Sequence, residues 1–273
     1  MKGNAKMKMV KLLAATGIVM AICFYAHAEK ITPFMFSIYP KEYLQMPDSD
    51  YSVYGLHLAP GIGFAKNVYG LDIGGVSFKE ELMGIQIGGV SGFANSVSGV
   101  QVGGIFAGAF GVSGVQVGGI LSGSSGVSGV QVGGYRAVAA NSVSGVQVGG
   151  VALAEEISGL QVGGLFAYTE ETLGIQIAGL MAASKEMSGI QAGFSSLAKE
   201  VTFGVQLGVI NKAEMRGGIQ IGPVNIADAI AVIQIGFVNY ANKQSDNCIQ
   251  IGFVNWLGAN DTLKALPFFN CRF

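Results

Sequence analysis

Gly99-Val100-Gln101-Val102-Gly103-Gly104 is the stretch that decides the fold, because it recurs almost letter for letter at residues 114–119, 129–134 and 145–150. Degenerate copies extend the series in both directions. The polar residue at the centre of each copy, which we call the marker, occurs thirteen times at intervals of 14–16 residues: Asp72, Gln86, Gln101, Gln116, Gln131, Gln147, Gln161, Gln176, Gln191, Gln206, Gln220, Gln234 and Gln250. A fixed period of this kind indicates a repeat architecture and identifies a scaffold better than a chemistry.

Each repeat has the chemistry of a β-strand. Val100 and Val102 point to one side of the strand, and Gln101 and Gly103 point to the other. A β-branched, polar, β-branched triplet favours a strand, and the glycines between triplets leave no room for a helix of useful length. We expect the valines to form a dry core and the glutamines to form a ladder at a solvated face.

Two all-β architectures fit the period. In a β-solenoid of about thirteen 14–16-residue coils with non-repeat caps, the coils stack about 4.8 Å apart and equivalent glutamines hydrogen-bond along the stack. In a transmembrane β-barrel, each unit would be one spanning strand of about 10 residues plus a turn. A barrel alternates short turns with longer loops, whereas here every unit looks alike. The sequence therefore favours the solenoid and leaves the barrel as the alternative.

Charge is scarce in this chain and unevenly distributed. Only 12% of the residues are charged and the net charge is −1, which gives no nucleic-acid-binding footprint. Between Gly84 and Ala154 the only charged residue is Arg136. A surface facing water normally carries many more charges, so we expect this section to be covered by a membrane, a partner or other copies of the chain.

The first 28 residues have the features of a signal peptide. A lysine-rich start precedes a mostly apolar run from Leu12 to Tyr25, and Ala26-His27-Ala28 fits a cleavage site, so the mature chain is expected to begin at Glu29. This predicts export to the cell surface or outer membrane, with the periplasm as the alternative. The predicted organisation is a signal peptide at 1–28, N-terminal cap strands at 29–69, the repeat array at 70–256 and a closing strand at 257–273.

The sequence predicts no catalytic, cofactor-binding or metal-binding residues. After cleavage His57 is the only histidine, and its alternating strand context favours a packed or surface role. No metalloprotease, paired-cysteine or phosphate-loop motif is present. Cys248 and Cys271 remain in the exported chain, either as a disulfide or as two small buried apolar residues. We therefore expect a protein that is not an enzyme.

Three segments resemble a known family. They are Ser52-Val53-Tyr54-Gly55-Leu56-His57-Leu58, the run from Asn67 to Gly74, and Ile249-Gln250-Ile251-Gly252-Phe253-Val254-Asn255. They look like the bacterial surface-repeat-containing proteins, and the closing Leu266-Pro267-Phe268-Phe269-Asn270 is similar to that family's ending. The resemblance implies an exported surface or outer-membrane protein without an assigned activity. The middle repeats depart from it, because Gly104, Gly119 and Gly134 stand where the family tends to have leucine.

Two classes of function follow from these expectations. The first is a structural, adhesive or protein-interaction protein at the surface or outer membrane. The second is an outer-membrane β-barrel pore. The partner is left open by the sequence, with the outer membrane and self-association as the two candidates.

Overall fold

The computed structural model describes residues 30–38, 45–229, 231–242, 247–258 and 264–272. The predicted signal peptide, cleavage site and Phe273 lie outside these residues. The described part is all-β and contains no helix. Its strands are β1 (Ile31–Ser37), β2 (Gln45–Met46), β3 (Ser52–Gly103), β4 (Phe106–Gly118), β5 (Leu121–Ala139), β6 (Ser142–Leu153), β7 (Glu156–Ala178), β8 (Met181–Ala192), β9 (Ser195–Leu207), β10 (Ile210–Met215), β11 (Gly218–Ile221), β12 (Val224–Ala229), β13 (Ala231–Ile235), β14 (Val238–Ala241), β15 (Asn247–Leu257) and β16 (Ala265–Arg272).

The repeats stack in parallel and in register, which confirms the β-solenoid. Gln101 of β3 pairs with Gln116 of β4, and Gln116 pairs in turn with Gln131 of β5. The same marker-to-marker pairing continues through β15, where Gln234 stands beside Gln250. The alternative of a transmembrane barrel is therefore wrong. Long strands such as β3 and β7 pass through more than one coil without a break, because a glycine bends the chain while its hydrogen bonds to neighbouring coils continue.

The sides of the strands are inverted relative to the sequence prediction. All thirteen markers are 0% exposed, whereas Val100 and Val102 are half-buried on the outside. The outward position is specific to the valines that flank the markers, because four residues before each marker a second column is buried, with Val97, Val112, Val127, Val143 and Ile157 only 1–4% exposed. Beside the marker Gln101 there is little room, since at Gly103 an added Cβ would lie 1.9 Å from the carbonyl oxygen of Phe106, three residues further along the chain. Around the markers, alanine, serine and glycine share the interior with the amide side chains.

A column of glycines marks one corner of the coil. Gly99 and Gly114 have φ of 135° and 133°, a region that residues with a side chain rarely adopt. A Cβ added to Gly114 would lie 2.2 Å from the carbonyl oxygen of Gly99 in the preceding coil. Glycine is therefore required here both for the backbone conformation and for the close approach of stacked coils.

The two ends of the stack are closed differently. At the N-terminal end β1 adds in parallel to the first coil of β3, so coiling begins before the predicted boundary at residue 70, and β2 pairs antiparallel with β1. At the C-terminal end β16 runs antiparallel to β15. A reversed strand carries no further repeat, and the segment predicted as a closing strand covers the edge of the last coil.

Cys248 and Cys271 are both free, so the hypothesised disulfide is not formed. Cys271 stands directly across from Ile249, and residues directly across two strands share one face of a sheet. Ile249 faces outward, whereas Cys248 is buried inside the coil. The two thiols therefore lie on opposite faces. Burial raises the pKa of the Cys248 thiol to about 12, which leaves it protonated.

Candidate functional site

The markers form a continuous column of buried amides along the solenoid. Each glutamine donates a hydrogen bond from Nε2 to the side-chain oxygen of the marker one coil earlier, over 2.7–3.1 Å. The second Nε2 hydrogen of Gln101 reaches the carbonyl oxygen of Gly108 across the coil, 3.2 Å away, and most other markers repeat this contact. Because a backbone carbonyl can only accept, these cross-coil bonds fix which end of each amide points towards the N-terminus.

A second, shorter column runs beside the first in the last coils. Asn211, Asn225, Asn239 and Asn255 are all 0% exposed, and each of the first three donates from Nδ2 to the Oδ1 of the next, over 2.7–2.8 Å. These are the asparagines that follow the markers by five residues in the sequence. Their donors point towards the C-terminus, opposite to the glutamine donors. The two sets of amide dipoles therefore oppose one another where they run together.

A cluster of ionisable side chains ends the glutamine column near the N-terminus. Asp72 accepts a hydrogen bond from Gln86 over 2.8 Å and another from His57 Nδ1. Ser37 Oγ lies 3.0 Å from His57 Nε2, and Lys79 Nζ lies 3.5 Å from Asp72 Oδ1. The carboxylate is the natural end of this column because it accepts from two sides and donates to none.

Burial sets the protonation of this cluster. Desolvation lowers the pKa of His57, which keeps the imidazole neutral. Burial would raise the pKa of Asp72, but the hydrogen bond from His57 and the charge of Lys79 outweigh it, and the pKa falls below its usual value. Desolvation lowers the pKa of Lys79 to about 8, against the attraction of Asp72. At neutral pH the cluster therefore holds one anion beside one cation.

Ser37, His57 and Asp72 have the contact order of an acyl-transfer triad. Asp72 holds the Nδ1 proton of His57, which leaves Nε2 free to accept from the Ser37 hydroxyl. All three side chains are 0% exposed, however, so no substrate reaches Oγ in this structure. His57 and Asp72 simply occupy the marker positions of the first two coils. The arrangement is therefore the structural end of the column.

Sequence reasoning missed this cluster, although part of its signal was present. His57 precedes Asp72 by 15 residues, and Asp72 precedes Gln86 by 14, which is the interval of the repeat. Extending the marker series back by one unit would have placed His57 against Asp72. Ser37 precedes His57 by 20 residues, so the period does not reach it.

The outside of the solenoid carries a continuous apolar surface, which we call the aliphatic face. It consists of the two residues that flank each marker from Asp72 to Gln250. Every one is Val, Ile or Leu except Ala192, and none is buried. Ile87 near one end and Ile235 near the other are 42% and 40% exposed. Glu155, Glu170 and other charged residues lie at a separate turn, five or six residues before the next marker.

The C-terminal end of the aliphatic face deepens into an apolar groove of about 580 Å³. Its lining is aliphatic on one side and aromatic on the other: Ile221, Gly222, Pro223, Ile235, Gly236, Phe237, Ile251, Gly252, Phe253 and Phe268. The rings of Phe237 and Phe253 stack 5.5 Å apart, and Phe268 lies 6.1 Å further along. Phe268 is 70% exposed and has a φ of 68°, which is uncommon for a residue with a large side chain.

Comparison with known proteins adds no relative to this description. No family model, curated protein or solved structure matches the chain. Within the described residues no group of three or more His, Cys, Asp or Glu side chains is placed to hold a metal ion. The same residues include no helix of the length and apolarity needed to cross a membrane.

Proposed function

We propose that this chain is an exported, non-enzymatic protein of the cell surface or outer membrane, with a structural, adhesive or protein-interaction role. The aliphatic face is the observation that carries the proposal. Soluble monomers rarely expose a contiguous apolar patch larger than a few hundred Å², and larger patches mark interaction surfaces. Here uncharged side chains of one chemical kind extend along thirteen successive markers.

The interior of the solenoid supports the same proposal. Ser37 and His57, which with Asp72 have the contacts of an acyl-transfer triad, are 0% exposed inside the stack. The amide column uses its hydrogen-bonding groups internally and presents none of them to a ligand. Other molecules therefore meet only the outer surface of the solenoid. The apolar part of that surface is the part whose removal from water is favourable.

The proposal is tested by locating the protein in cells that express the whole chain. We expect an externally added amine-reactive, membrane-impermeant label to reach the exposed Lys185 and Lys199 on intact cells, and the protein to fractionate with the envelope. A chain lacking residues 1–28 is the matched control and should stay inside the cell. Retention of the full chain in the cytoplasmic fraction, without labelling, would refute the proposal.

A further inference from the structure

We infer that the aliphatic face docks against the same face of a second copy of this chain. This inference rests on the proposed function and names the partner of its interaction surface. Two identical faces meeting across a two-fold axis form an isologous interface, in which one patch on each copy is self-complementary. Three properties of the face favour this occupant over a lipid bilayer.

The first property is its composition. Surfaces that lie in a membrane interface combine apolar residues with Trp, Phe, Lys or Arg at their borders, and basic residues attract anionic lipids. The two flanking rows of the aliphatic face hold no aromatic and no charged residue, and the phenylalanines that border it in the apolar groove lie at its C-terminal end without a basic residue among the groove's lining. The charged turns nearby are mostly acidic, as at Glu155-Glu156 and Glu170-Glu171, and would be repelled by anionic headgroups. Branched aliphatic side chains on a sheet are instead suited to dry packing against another sheet.

The second property is its size. Thirteen coils at about 4.8 Å each give a face about 60 Å long, and a side of about four residues is about 13 Å wide. The product is about 800 Å² on each copy, the contribution of each partner to a stable interface of standard size. No charge is buried unpaired when the two faces meet, because neither face carries one.

The third property is its spacing. The register of the coils places flanking residues such as Val115 and Val130 directly beside one another in adjacent coils, so the face consists of two rows with the coil interval. A partner whose rows have the same interval can interdigitate with them along the whole length. A second copy has that interval, whereas a lipid surface has no such period.

The test is the mass of the purified mature chain, residues 29–273, by sedimentation velocity in buffer without detergent at about 1–50 µM. We expect a species of twice the protomer mass. Val132→Glu and Val162→Glu place a carboxylate on the face and should halve the mass. Ser128→Glu and Ser158→Glu place it in the same coils on exposed positions outside the face, and should leave the mass doubled. Circular dichroism checks that each variant retains its β-structure.

Three results would overturn the inference. One is a wild-type protein of protomer mass over the whole concentration range. Another is a protein that stays a protomer and co-sediments with phosphatidylethanolamine–phosphatidylglycerol vesicles, which would assign the face to the bilayer. Equal masses for the Val132→Glu and Ser128→Glu proteins would also contradict it. Mass is measured on purified protein and localisation in cells, so failure of this inference and failure of the proposed function are seen separately.

Discussion

Replacing Gln116 by leucine tests whether the amide column holds the interior together. The Gln116 side chain makes four hydrogen bonds. Its Nε2 donates to Gln101 Oε1 over 2.9 Å and to the Gly123 carbonyl oxygen over 3.2 Å. Its Oε1 accepts from Ser122 Oγ over 2.9 Å and from Gln131 Nε2 over 3.1 Å. Leucine has a similar volume and can form none of these bonds.

The cost follows from the partners that lose a bond. Gln131 keeps Ser124 and the Val138 carbonyl as acceptors, so its amide hydrogens remain satisfied. Gln101 Oε1 and the Ser122 hydroxyl lose the contact that Gln116 provides. Each buried polar group left unsatisfied costs about 1–3 kcal/mol, so the two together cost about 2–6 kcal/mol. The buried leucine recovers part of this, and we expect a net loss of about 2–4 kcal/mol in the coils around residue 116.

The matched change is Val117→Asp, one residue along the strand. Val117 faces outward and is half-buried, so its carboxylate remains hydrated and the expected cost is about 1 kcal/mol, the range of strand propensities. Both changes are made on Val162→Glu so that self-association contributes nothing to the difference. Hydrogen exchange measured by mass spectrometry reports the local opening of each coil.

We expect faster exchange in residues 101–133 for Gln116→Leu than for Val117→Asp. The opposite order, with Val117→Asp opening the coils and Gln116→Leu leaving them protected, would show that the valines flanking the markers, and not the amides, lie in the interior. That result would refute the assignment of inside and outside on which the aliphatic face depends.

Three further predictions concern the buried ionisable cluster and the glycine corner. Asp72→Gln alone or Lys79→Met alone should destabilise the first coils by about 3 kcal/mol in urea titrations, because each change leaves a buried charge unpaired. The double variant should have nearly the stability of the unchanged protein. Additive losses of stability would contradict the pairing. Gly114→Ala should lower the melting temperature strongly, and Gly111→Ala, where no atom lies within 4 Å of the new Cβ, should not; equal effects would exclude the stacking argument. The pKa of His57 is lowered in the folded chain, so the unfolded chain binds more protons and stability should fall as the pH drops below 6.5. The pKa of Lys79 is lowered to about 8, so for the same reason stability should rise between about pH 8 and 10.5. A urea midpoint that stays constant across both pH windows would contradict the buried cluster.

The period carried most of the information about the fold. Thirteen markers at nearly constant intervals indicate equivalent positions in successive units, and stacked coils, unlike the alternating short turns and longer loops of a barrel, make every unit alike. The strand character of Val100-Gln101-Val102 follows from the residue types alone. Glycine at the corner is likewise readable, since only glycine tolerates the conformation of Gly99. These features are local or periodic, which is why the sequence contains them.

The choice of interior could not be made from alternation. The two-residue alternation of a strand shows that Gln101 and Val102 lie on different sides. It does not show which of the two sides is enclosed. The usual rule places valine inside. It holds four residues before each marker, at Val97 and Val112, and fails beside the markers, where the approach of the Phe106 carbonyl to Gly103 leaves little room. That approach depends on how the chain closes around each coil. The contact of Ser37 with His57 was unpredictable for the same reason, since it joins a strand outside the repeat to one within it.

The direction of the amide column has a consequence for how this protein can change length. Each marker receives one hydrogen bond from the unit after it and gives one to the unit before it, so every interior rung is chemically interchangeable with its neighbours. Inserting or deleting one whole unit of about 15 residues would keep both ends, the cross-section and all internal pairing, and would alter the length by about 4.8 Å. An insertion of half a unit would take the next marker out of register with the amide column. The molecule can therefore be lengthened or shortened only in whole steps, and unequal duplication of one repeat is the change it is built to tolerate.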